Sequence, residues 1–168
     1  MAANDIKVLS ANGLAQLPCL TFKTSAGEVA INPGEPVAFN VPTLNAATSD
    51  YVIAMTDGKP VVATDYMVGI AKSTGTHTSS ANGTVDVYLA TPGVIFRCKA
   101  KSSTAADTQG EIDDLVGKRV LLDLTAGTYT VDTAEAPALV NGIIIVGGNP
   151  LNNEVDFMVA PRATFFGN

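Results

Sequence analysis

The chain has 168 residues, sixteen acidic and ten basic, for a net charge of −6 and a mean hydropathy of +0.25. An acidic balance lacks the positive field that phosphate neutralisation needs, so nucleic acid is not an expected partner. Only 15% of the residues are charged. The polar surface must then come mostly from Thr, Ser, Asn and Gly, which points to large, weakly charged contact surfaces of the kind found in assemblies.

A chain of this length can bury roughly 70% of its unfolded surface and needs no metal or disulfide to fold. Cys19 and Cys98 have neither CxxC spacing nor nearby histidines, so no zinc site and no cofactor is expected. The opening MAANDIKVLSANG has no charged n-region followed by an apolar h-region. No apolar run approaches the roughly 18 residues of a membrane helix. The expectation is synthesis in a cytosol, with no membrane contact.

Residues 1–17 are small and polar with scattered apolar positions, and read as an extended arm ahead of a single β-rich domain over 18–168. Ile6, Val8 and Leu9 are its candidate contacts, too few for a core but able to pack into grooves of a neighbouring subunit. Leu20 and Phe22 alternate in a first strand. Asn32-Pro33-Gly34-Glu35-Pro36 is a rigid turn, after which Val37, Phe39 and Val41 alternate. Asp57-Gly58, between Tyr51–Met55 and Pro60–Thr64, signals a hairpin. Tyr66, Val68 and Ile70 lead into the polar loop Ser73–Ser80, expected to be exposed.

The segment from Gly83 to Lys101 carries the clearest pattern. Val85, Val87 and Leu89 alternate with Thr84, Asp86 and Tyr88, and after a Pro-Gly turn Val94, Phe96, Cys98 and Ala100 alternate with Ile95, Arg97, Lys99 and Lys101. Period two means one buried and one exposed face. Phe96, Val85, Val87, Leu122 and Phe157 are expected to share one core. Asp107 to Val116 is the one helix predicted, capped by Asp107 or Thr108 and ended by Gly117. Val120, Leu122 and Leu124 then pair through Thr125-Ala126-Gly127 with Tyr129 and Val131. Ile143 to Val146 is a continuous apolar run, and Val155, Phe157 and Val159 alternate in a last strand. Turns recurring every 8–12 residues or so predict an all-β sandwich or barrel of antiparallel strands with one short helix.

Little in the chain suggests catalysis. His77 is the one histidine, set in a Ser/Thr/Gly loop without a neighbouring carboxylate, and no GxSxG elbow is present. Glu111 and Asp114 share a helix face but lack EF-hand spacing. Gly147-Gly148-Asn149-Pro150 lacks the lysine of a phosphate loop. The expected reading is a protein that is not an enzyme. Arg97, Lys99 and Lys101 form an outward row about 13 Å long at strand rise. Such a row protects an exposed edge strand or steers docking onto an acidic partner.

Val68-Gly69-Ile70-Ala71, a polar loop, Gly83-Thr84-Val85-Asp86-Val87 and Pro92-Gly93-Val94 together resemble the small head-decoration (cement) proteins of tailed bacteriophages and related phage structural proteins. This resemblance covers about a fifth of the chain. It implies a β-rich protein that binds the outside of an assembled capsid and reinforces it. The major capsid protein would be its partner and a homo-oligomer, a trimer among the options, its working form. The alternatives are another virion component (tail, neck or fibre), an adhesive glycan-binding module, or a small β-barrel enzyme of nucleotide metabolism. No clustered glycines, acids and basic clamp support the last, and the lack of tryptophan weighs against a glycan platform.

Overall fold

The structure, a computed structural model, describes residues 6–11, 16–39, 51–62 and 65–164. Five strands close a small barrel: β2 (Cys19–Thr24), β3 (Pro36–Phe39), β4 (Tyr51–Ala54), β5 (Met67–Ala71) and β6 (Gly83–Leu89), in the order β2-β4-β3-β5-β6. A five-stranded sheet runs β1-β7-β12-β11-β8, from β1 (Lys7–Ala11), β7 (Val94–Lys99), β12 (Glu154–Val159), β11 (Ile143–Asn149) and β8 (Arg119–Val120). A separate hairpin joins β9 (Leu122–Thr125) to β10 (Thr128–Val131). The predicted all-β architecture with one short helix is therefore what forms.

Strand direction departs from the expectation at one place. Among the described residues every strand pair is antiparallel except β2 and β4, where Lys23 faces Tyr51 and Thr24 faces Val52 in parallel. A ring with an odd number of strands cannot alternate direction all the way round, so one parallel contact is the cost of closing five. Asp57-Gly58 does not make the expected hairpin either. Both edges of β4 are already taken by β2 and β3, so the chain after Gly58 pairs elsewhere. The Gly58 N–H donates to the Leu122 carbonyl (3.0 Å), the Leu122 N–H donates to the Lys59 carbonyl (2.7 Å), and the Asp57 carboxylate accepts from the Leu124 N–H (2.8 Å).

Two apolar cores follow from this layout. Ile31, Val37, Val52, Val68, Val85, Val87 and Leu89 fill the barrel. Phe96, Phe157, Leu122, Ile143, Ile145 and Val155 fill the space between the sheet, the hairpin and the helix α1 (Gln109–Leu115). The single core expected for Phe96, Val85, Val87, Leu122 and Phe157 is thus split, the two valines belonging to the barrel. Alternation tells which side chains turn inward, but not which sheet they turn toward. The cores abut along β3 and β5, where Ala38, Met67 and Ile70 pack into the sheet's core rather than the barrel. All of β5 is buried as a result. Gly69 sits where a Cβ would lie 1.8 Å from the Tyr88 carbonyl oxygen, so only glycine lets β5 and β6 approach this closely.

The helix matches its sequence signals. Thr108 is its N-cap, accepting from the Glu111 N–H (3.3 Å), while the Glu111 carboxylate accepts from the Thr108 N–H (3.0 Å), a reciprocal capping box. Ile112 and Leu115 bury its inner face, and Gly117 at φ 85° turns the chain into β8.

The segment expected as an arm also belongs to the fold. Lys7 to Ala11 is the edge strand β1, antiparallel to β7 with a bulge between Val8 and Ser10. Residues 1–5 and 12–15 lie outside the described residues, as does Val41.

Candidate partner-binding surface

The basic row is engaged within the chain. Arg97 lies on β7, an inner strand flanked by β1 and β12, so the row does not guard a sheet edge. Register places Arg97 opposite Asp156 on β12. Its Nε and Nη2 donate to the two carboxylate oxygens at 2.6 and 2.8 Å, a bidentate pair. The bond from Asp156 outweighs partial desolvation and raises the guanidinium further above its ordinary value. Lys99 donates from Nζ to the Asn152 carbonyl. Lys101 falls beyond the end of β7, and its Nζ lies 2.6 Å from Asp123 and 2.8 Å from Asp132. Hydrogen bonds to these two carboxylates, Asp123 first, push the ammonium well above its usual range. Burial alone would raise Asp123, but the bonds from Lys101 and Thr125 prevail and hold it below the usual carboxylate range.

The three apolar candidates divide. Ile6 is 4% exposed and Val8 is half-buried against the sheet's core. Leu9, at the bulge, is 41% exposed and remains available. β1 pairs with β7 and turns Ile6 and Val8 toward the core, so of the three only Leu9 is an exposed side chain.

His77 is not the plain solvated loop residue expected. The loop folds back over the barrel, with backbone bonds from Gly75 to Ile31, Thr76 to Thr84 and Gly27 to Thr78. Nε2 lies 3.2 Å from the Glu28 carbonyl oxygen, a contact that only the Nε2–H form makes, while Nδ1 is buried without a partner. Among the described residues neither ring nitrogen meets a carboxylate. Among the described residues no three His, Cys, Asp or Glu side chains cluster as a metal site, and no helix is long and apolar enough to cross a membrane. Cys98 is buried, its Sγ donating to the Tyr129 carbonyl, and Cys19 is a half-buried free thiol.

What sequence reasoning missed is the complement to the basic row. Glu154 and Asp156 alternate with the inward Val155, Phe157 and Val159, so they share the outer face with Arg97 and Lys99. Lys7 reaches Glu154 at 3.6 Å. That parity was in the sequence, but the neighbouring of β7 and β12, 55 or so residues apart, was not. Arg119 on β8, opposite Ile144, adds a further cation that donates to the Leu139 carbonyl, and apolar side chains stand between these charges. Ile144 pairs with Met158, and Ile95 lies on the same side as Arg97, all three half-buried. The outer face of the sheet therefore mixes charges bonded within the chain with half-buried apolar side chains. No protein-family model matches the chain, and no curated protein matches it in sequence.

Proposed function

We propose that this protein is a structural component of a tailed-phage virion that binds the outside of the assembled head, against the major capsid protein, and reinforces it. The observation that best supports the reading is the outer face of the five-stranded sheet. On it Arg97 and Lys7 pair with Asp156 and Glu154, and Lys99 and Arg119 donate to backbone carbonyls. Between and beside them stand Ile95, Met158 and the exposed Leu9. A surface of this kind binds by shape and apolar contact rather than by net charge, which suits repeated packing against several neighbours. Contacts shared over a symmetric lattice add through avidity, so each need only be modest.

This changes the part assigned to Arg97, Lys99 and Lys101. They are held within the chain by Asp156, the Asn152 carbonyl, and Asp123 with Asp132, instead of steering it onto an acidic patch, and attachment should depend only weakly on salt. The test is co-sedimentation of the purified protein with assembled capsids of its own system. Saturation at a symmetry-related stoichiometry is expected, with Ile95→Asp and Met158→Asp abolishing it while leaving the fold intact. Failure of the unaltered protein to bind such capsids would overturn the proposal.

A further inference from the structure

A groove of about 870 Å³ runs between the sheet and the barrel. One wall is Ile6, Lys7 and Val8, and the other is the Asn32–Glu35 turn together with Ile70, Ala71 and Lys72 at the end of β5. Ile6 and the first two residues of β1, Lys7 and Val8, border it consecutively. A groove lying on a sheet face would meet alternate residues, because successive side chains point to opposite sides. This one therefore runs along the edge of the strand. Among the described residues β1 has β7 as its only strand partner, and Ile6 to Leu9 make no other backbone hydrogen bond. The opposite wall offers no such vacancy, since the Ala71 N–H donates to the Glu35 carbonyl and the Ala71 carbonyl accepts from Gly34. The groove thus has a bonding side, an apolar floor of Ile6, Val8 and Ile70, and a charged rim.

The rim is unlike the rest of this acidic chain. Lys72 stands over the Tyr88 ring, 5.7 Å from its centroid, and forms no ion pair among the described residues. Lys7 reaches Glu154 only at 3.6 Å and is 60% exposed. The groove's one carboxylate, Glu35, accepts from the Asn32 N–H (2.9 Å) and the Asn32 side-chain amide (3.1 Å), which fix it in the turn. Lys72 is thus the cation that lines the groove without an ion pair among the described residues.

We infer that this groove takes an extended peptide segment of a partner protein, added as a strand to the edge of β1 and bearing a carboxylate that meets Lys72. Main-chain bonds to an exposed edge supply affinity, and pockets for alternate side chains supply selectivity. Pairing of two β1 strands from two copies is opposed by the bulge between Val8 and Ser10 and by the barrel wall across the slot. The inference goes beyond the capsid reading and stands whether or not that reading holds.

The experiment uses the full chain and two capped peptides, Thr-Val-Thr-Asp-Thr-Val-Thr and the same sequence with Lys at its centre. Affinity is read by fluorescence anisotropy and location by amide hydrogen exchange. The Asp peptide should bind saturably and slow exchange in residues 7–9. The Lys peptide should bind roughly fivefold more weakly, about what one exposed ion pair contributes. Lys72→Glu, a change at an exposed side chain, should reverse that order. Equal affinities in both proteins, protection confined to another edge such as β8, or no protection of β1 at millimolar peptide would each overturn the inference. So would protection of β1 that rises with protein concentration in the absence of peptide, which would make a second copy the occupant.

Discussion

Truncating Phe96 or Phe157 to alanine tests the arrangement of the sheet's core. The two residues face each other across β7 and β12, both have no exposed surface, and their rings lie 5.7 Å apart at 32°. Returning a fully buried Phe side chain to water costs about 2–3 kcal/mol in transfer alone. Here the cavity would be bounded by β-sheet backbone on one side and by the hairpin and helix on the other, so collapse is limited. The total should fall in the roughly 3–5 kcal/mol range found for buried Phe→Ala. For a chain of this size that corresponds to a fall in Tm of about 6–20 °C. Urea melts of both single variants and the double variant would measure it. Because the rings touch, the double variant should lose about 0.5–1.5 kcal/mol less than the sum of the singles. Losses below about 1 kcal/mol in both singles, or strict additivity, would refute the inward phase assigned to β7 and β12.

Gly69→Ala should be among the most damaging small substitutions, because its Cβ would lie 1.8 Å from the Tyr88 carbonyl oxygen, backbone that can move only by parting β5 from β6. A melt or expression yield near that of the unaltered protein would contradict that packing. Ala126, at φ 51° in the β9–β10 turn, occupies the left-handed region at a cost of about 1 kcal/mol, so Ala126→Gly should stabilise by up to that amount in denaturant melts. Lys101→Gln probes the clamp between the end of β7 and the hairpin. The carboxylate of Asp123, held low, stabilises above its unfolded value near 4 and loses that contribution as the pH falls through its folded value. Lys101, held high, stabilises below its unfolded value near 10.4 and loses that contribution only as the pH rises through a still higher folded value. The stability gap between the unaltered and variant proteins should therefore be flat from roughly pH 5 to 10 and shrink below pH 4; a gap that persists undiminished at pH 2–3 would exclude the pairing.

Much of the fold was legible because its signals are local. Alternation put Val85, Val87, Leu89, Val94, Phe96 and Cys98 inward, and all are buried. The capping residues Thr108 and Glu111, the turn at Ala126-Gly127 and the run Ile143–Val146 each landed in the element that their chemistry favours. What was illegible depends on which strands become neighbours. Asp57-Gly58 has strong hairpin chemistry, yet β4 has no free edge for the returning chain, so the same residues serve β9 instead. The loop around His77 is all small and polar, yet Gly83 lets it lie against β6, where a Cβ would fall 2.2 Å from the His77 backbone nitrogen.

The basic row shows why charge read along one strand is a weak guide to partners. Arg97 and Lys99 alternate in sequence whether they face solvent, an acidic partner or a neighbouring strand, and only the register decides among these. Here the register sets Arg97 against Asp156 and Lys99 against Glu154. Arg97 keeps 23% and Asp156 16% of its side-chain surface exposed, so removing one charge leaves the other half-desolvated. Arg97→Gln should then cost stability, about 1–3 kcal/mol for a hydrogen-bonded charge left without its partner, before it costs any attachment. Arg97→Met with Asp156→Leu should recover much of that loss, since an apolar pair of similar bulk removes the stranded charge. If the double variant stays folded and still sediments with capsids, the pair acts within the fold. If it folds but no longer attaches, the cations face a partner after all, and apolar contact on this face is not what binds.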